Sequence, residues 1–155
     1  MCATHADHKP NAIISLLQNK CPRCRRGDLF VRSSAYDLKQ YRFMQMHGNC
    51  PVCNQVVDIE VGFYYGTGFV SYALAIALSV ASFIAWWVLV GVSLEDNRVF
   101  WWLGVNALLL VVMQPLLMRL SRTLWLWFFV GYSRNWKEGD VYKVERINEG
   151  LKDAW

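Results

Sequence analysis

No charged side chain interrupts the chain between Val61 and Leu94. The centre of that stretch, TGFVSYALAIALSVASFIAWWVLVGV, covers residues 67–92, and a helix needs about 20 apolar residues to cross a bilayer. A soluble core helix so long and so uniformly apolar would be abnormal. Residues 61–92 therefore predict a first transmembrane helix. SLEDNR, at 93–98, is a polar turn, and VFWWLGVNALLLVVMQPLLM, at 99–118, predicts a second span. So short a connection requires an antiparallel hairpin. The segment RLSRTLWLWFFVGY, at 119–132, has an apolar run too short to cross again, and it opens on Arg119 and Arg122. It predicts an interfacial helix. Trp125, Phe128, Phe129 and Tyr132 would sit at headgroup depth, with the two arginines on lipid phosphate. A tilted or re-entrant continuation of the second span is the alternative.

Polar sequence flanks the hairpin. Residues 1–19 form a lead and a short helix, with Asn11 as the cap and Ile13, Ile14, Leu16 and Leu17 as its apolar positions. That helix is expected to lie on the cysteine module or the membrane surface. Residues 20–58 form the cysteine module. Within it, Ser34-Ala-Tyr-Asp37 resembles a capping box, and a short helix or irregular hairpin over Tyr36–His47 follows from it. Residues 133–155 make a soluble tail. Val141, Val144, Ile147 and Leu151 recur there at helical spacing, with Asp140 as a cap.

Composition fits a small soluble module joined to membrane spans. Hydrophobic residues make up 55% of the 155 and charged residues 18%, too apolar a balance for an ordinary soluble domain. Eight Trp suit a protein with two membrane–water boundaries. Eight Lys/Arg precede Val61 and seven follow Met118, whereas the connecting loop holds Arg98 beside Glu95 and Asp96. The bias of positive charge predicts both termini in the cytoplasm. The opening MCATHADHKP has no apolar signal core, so the N-terminal module is expected to stay on that side.

The strongest chemical signal is Cys21-x2-Cys24-x25-Cys50-x2-Cys53. Two thiolates two residues apart grip one tetrahedral ion from a tight turn, and a second such turn completes the shell. Pro22 and Pro51 stiffen the two turns, Gly27 eases the exit of the first, and Asn54 tolerates positive φ after the second. A reducing compartment keeps the thiols free. The expected cofactor is one structural Zn2+ per chain, stapling a zinc ribbon too small to fold alone. A redox dithiol and an iron–sulfur cluster are the competing readings of the same cysteines.

Weaker candidates surround this site. Cys2, His5 and His8 recur every third residue and could bind copper or zinc, against the plainer reading of incidental His in a terminal lead. His47, three residues before Cys50, is either a ligand or a surface group. Ala73, Ala77, Ala81 and Ala85 recur every fourth residue, beside a second small row of Ser71, Ala75 and Ser79. Such rows let helices approach closely, within the hairpin or against a partner helix. Asn106 and Gln114 are polar inside the second span and should face protein. Pro115 removes one helix hydrogen bond. There is no P-loop, dinucleotide glycine pattern or HExxH, so no enzyme activity and no small-molecule substrate is expected. Arg23, Arg25, Arg26 and Arg32 would permit nucleic-acid binding, but stacking aromatics are sparse around them.

Together CPRC, Gly27-Asp-Leu-Phe30, CPVC and EVGFYYGTGFVSYAL at residues 60–74, followed by two spans, resemble a bacterial family of small membrane proteins catalogued as domain of unknown function 983. The resemblance covers roughly residues 13–120. The chain departs from the family pattern at Val61, where Pro is usual, and at Arg25 and Asn54, where Gly is usual. The family has no established activity. An association of some members with terminal-oxidase biogenesis implies an accessory or assembly role in a respiratory membrane complex, with the bilayer and other integral subunits as partners. The alternative expectation is a metal- or thiol-handling factor that delivers an ion or electrons to a membrane enzyme.

Overall fold

The computed structural model describes residues 10–36, 44–59, 62–91, 97–137 and 141. The readings of Cys2, His5 and His8, of most of the Tyr36–His47 segment, of the turn at 93–96 and of the tail helix lie outside these residues. The described protein is helical. It consists of a short α1 (Ala12–Leu17), a 3-10 turn (Phe63–Gly66) running into α2 (Thr67–Val90), and α3 (Arg98–Phe129). Asn11 caps α1, its side chain accepting from the Ile13 amide, and Asn19 ends the segment in the left-handed region at φ 55°.

Two of the helices are long and apolar enough to cross a membrane. They pair as an antiparallel hairpin held by polar contacts at two levels. Near its middle, the Asn106 side chain accepts from Ser82 at 3.0 Å and donates to Ser79 at 3.3 Å, and the Trp102 indole donates to Ser82 at 3.3 Å. Nearer the cysteine module, Ser71 donates to Ser121 at 2.8 Å. The small row that closes the hairpin is thus the serine row. Ala73, Ala77, Ala81 and Ala85 stand exposed on the outside of α2. Asn106 is buried as its polarity requires, but Gln114 faces outward. Eight residues at 3.6 per turn leave them about 80° apart around the helix.

The reading of 119–132 as a separate interfacial helix is corrected. α3 runs unbroken through Pro115 to Phe129. Its 32 residues span ~48 Å against the ~30 Å that a hydrocarbon core requires, so about three turns are in excess of a span. The last turns are buried by protein. Arg119, Thr123, Leu126 and Val130 are all 4% exposed or less, and their spacing puts them on one face, against the cysteine module. Arg119 does not meet lipid phosphate. Its guanidinium donates to the carbonyls of Arg32 and Ser33 at 3.0 and 3.2 Å and lies over the Phe30 ring. Arg122 is half-buried and donates to the Met44 carbonyl at 3.2 Å. Phe128 and Phe129 are exposed.

Trp125 is tied down at the hairpin entry. Its indole donates to the Phe63 carbonyl at 2.8 Å, and its ring packs on Phe63 and Phe129. This closeness needs Gly66, where an added Cβ would stand 2.3 Å from the Trp125 ring. Gly66→Ala is expected to displace the indole and lower the thermal midpoint in detergent, at a cost of about 1–3 kcal/mol. Gly68→Ala, with nothing within 4 Å of its Cβ, serves as the neutral comparison. Equal midpoints for the two variants would remove Trp125 as an anchor.

Candidate metal centre

The cysteine module is built from two matching turns. In the first, the Arg25 amide donates to the Cys21 carbonyl at 2.7 Å, and in the second the Asn54 amide donates to Cys50 at 2.9 Å. Both turns end on a left-handed residue, Arg25 and Asn54, each at φ 56°. Asn is at ease there, whereas Arg costs on the order of 1–2 kcal/mol. Arg25 is held by its side chain, which donates to the Pro10 carbonyl and stacks over Trp127 and Tyr132. Isolated antiparallel bridges close each turn, Lys20 with Asp28 and Asn49 with Val56, and a third bridge, Phe30 with Met46, joins them. These pairings do not extend into strands among the described residues, so the module is a four-cysteine cluster on paired turns rather than a demonstrated zinc ribbon.

The four Sγ atoms converge. Cys21 and Cys53 sulfurs are 3.7 Å apart, Cys24 and Cys50 sulfurs 3.8 Å, and all four lie within 4.8 Å of one another. A tetrahedral ion bonded to sulfur at ~2.3 Å places its ligands about 3.8 Å apart, so the arrangement can hold a metal ion. All four residues are buried and none is in a disulfide. His47 lies outside the cluster and is half-buried, its amide bonded to the Leu29 carbonyl.

Crowded thiols share protons unequally. Side-chain hydrogen bonding within the cluster, with Cys21 first, holds Cys24 far below the ordinary thiol range and brings Cys50 down to about 6. A metal ion would take the place of those protons. A divalent ion with four thiolates would carry a net charge of about −2, and one cation and one amide donor stand beside the cysteines. Arg23 is buried and donates to the Cys53 carbonyl at 3.4 Å. The Gly27 amide points at the Cys24 sulfur from 3.5 Å.

The core around the cysteines is completed from far along the chain. Leu29, Phe30 and Val57 come from the module and Ile59 from just after it, and Leu126 and the capping Val130 come from the end of α3. Polar contacts follow the same route. Thr123 donates to the Asn19 side chain, Trp127 to the Lys20 carbonyl, and the Ser133 amide to the Arg23 carbonyl. Trp136 packs against this core beneath Arg26. Comparison with family models, with curated proteins and with solved structures finds no match for this chain.

Proposed function

We propose that the protein is a zinc-binding, non-catalytic membrane protein serving as an accessory or assembly subunit of a larger membrane complex. The family resemblance makes a respiratory complex of the terminal-oxidase class the first candidate. The observation that carries this reading is the exposed alanine row. Ala73, Ala77, Ala81 and Ala85 are not used to close the hairpin, and small side chains at that spacing let another helix approach closely. Exposed Gln114 on α3 adds a polar group that gains a hydrogen bond in the bilayer only from another protein. Zinc suits the four-thiolate shell, which leaves no open position for hydrolysis. Burial of all four cysteines favours a folding staple over an ion- or electron-handling factor. Both termini would be cytoplasmic, as the basic flanks require.

The test is purification from native membranes in a detergent that preserves complexes, with subunits and metal read from one sample. A defined set of integral subunits and one tightly held zinc per chain is expected. Ala77→Leu with Ala81→Leu should lose those subunits and keep the zinc. A lone chain with exchangeable metal and reactive cysteines would replace this reading with the handling factor.

A further inference from the structure

A cavity of about 350 Å³ opens where the chain enters the hairpin, lined by Asp58, Gly62, Phe63, Tyr64, Tyr65 and Arg122. Its depth follows from the helices. Arg98 donates to the Val90 carbonyl at the far end of the hairpin, so those residues share a level. Twenty residues of helix, ~30 Å, lead from that level to Val70 on α2 and Met118 on α3. Tyr64, Tyr65 and Arg122 lie roughly 6–9 Å beyond this boundary, at the depth of phospholipid headgroups.

The lining carries both signs of charge. The Arg122 guanidinium is held in place by the Met44 carbonyl and lies 5.4 Å over the Tyr64 ring. Tyr64 is itself fixed, its hydroxyl donating to the Val57 carbonyl at 2.8 Å. Asp58 is exposed and forms no ion pair with a described residue. Below the cavity, an exposed apolar stripe continues at helical spacing through Tyr65, Phe69, Tyr72 and Ile76. That stripe offers a track for acyl chains leading up to the charged groups.

We propose that this cavity holds the headgroup of an amine-bearing zwitterionic phospholipid, with the phosphate on Arg122 and the ammonium on Asp58. An anionic headgroup would satisfy Arg122 but set like charge against Asp58. A quaternary ammonium has no N–H to give the carboxylate. The proposal rests on the membrane reading of the hairpin and is independent of any partner complex.

The full chain, purified in mild detergent, is offered equal amounts of phosphatidylethanolamine, phosphatidylcholine and phosphatidylglycerol, and retained lipids are counted by native mass spectrometry. Phosphatidylethanolamine should be retained over the other two by about tenfold, the effect of one charge-assisted bond. Asp58→Asn should abolish that preference, and Arg122→Gln should abolish retention of all three. Metal content in the same samples reports whether the module stays folded. Asp58→Asn, which alters only an exposed group, decides the matter should Arg122→Gln lose metal. Equal retention of the three lipids, a preference that survives Asp58→Asn, or displacement by soluble phosphoethanolamine at equal concentration would each overturn the proposal. Failure of the membrane reading would show separately, as protein released from membranes without detergent.

Discussion

Replacing Gly27 with alanine is expected to empty the metal site while leaving all four cysteines in place. A Cβ built at Gly27 would stand 2.4 Å from the Cys50 sulfur and 3.3 Å from the Val52 side chain. Carbon and sulfur cannot approach so closely, so one of them must move. Gly27 has little freedom to do so. Its carbonyl accepts from the Cys21 amide at 2.8 Å and its amide points at the Cys24 sulfur. The Cys50 sulfur would therefore be driven off its corner of the tetrahedron, and a three-thiolate site in a crowded core is a poor cage. Disturbing a group that only supports the ligands already lowers metal affinity about 10–100-fold. Displacing a ligand should lie at or beyond the upper end. The measurement is metal per chain after dialysis against a chelator, with thiol titration alongside. Gly48→Ala, in the same module with nothing within 4 Å of its Cβ, should keep its metal. Full metal retention by Gly27→Ala would show that the sulfurs are not held where a shared ion needs them.

Arg119→Met should detach the cysteine module from the hairpin without removing any ligand. Arg119 is 2% exposed, and its guanidinium bridges the carbonyls of Arg32 and Ser33. Methionine fills much of the same volume but donates nothing. Two hydrogen bonds from a charged group are lost, at about 2–3 kcal/mol. Limited proteolysis in detergent is the sensitive measurement, because local opening of the module raises cleavage before the spans unfold. Cleavage between residues 10 and 59 should speed up roughly 30–140-fold, the Boltzmann equivalent of that loss. Arg119→Lys, which keeps a charge and a donor, should recover part of the protection. An unchanged cleavage rate in Arg119→Met would mean that the apolar contacts of Leu126 and Val130 hold the module unaided.

How far these features were legible in the sequence differs from residue to residue. The two apolar runs and the short turn dictate a hairpin because a charge-free helix has few other stable environments. The four cysteines are legible because knuckle spacing is fixed by the reach of two thiolates to one ion. Asn11 and Asn54 are legible too, as residues whose side chain or backbone tolerance matches a cap and a left-handed turn. The end of α3 was not. Its buried stripe includes Arg119, which the sequence placed on lipid phosphate, and Thr123, and the carbonyls they satisfy come from Arg32, Ser33 and Arg119 itself. The aromatic residues between them drew the segment to the lipid surface, yet Trp125 and Trp127 spend their N–H groups on Phe63 and Lys20. Gly27 looked like a relaxed exit from a turn, when its role is close packing on a sulfur from the other turn. Contacts of this kind join residues distant in sequence, and no local pattern reports them.

Leu126 and Val130 fill the core around Cys21 and Cys24, and this fixes an order of events during synthesis. The cysteines leave the ribosome first, but the apolar wall they pack against is made only after both spans. An ion captured early would sit in a module missing one side. The core around the cysteines closes only when the end of α3 has been made and has folded back onto them. A closed core is thereby a record of a completed hairpin, written into the order in which the chain is made.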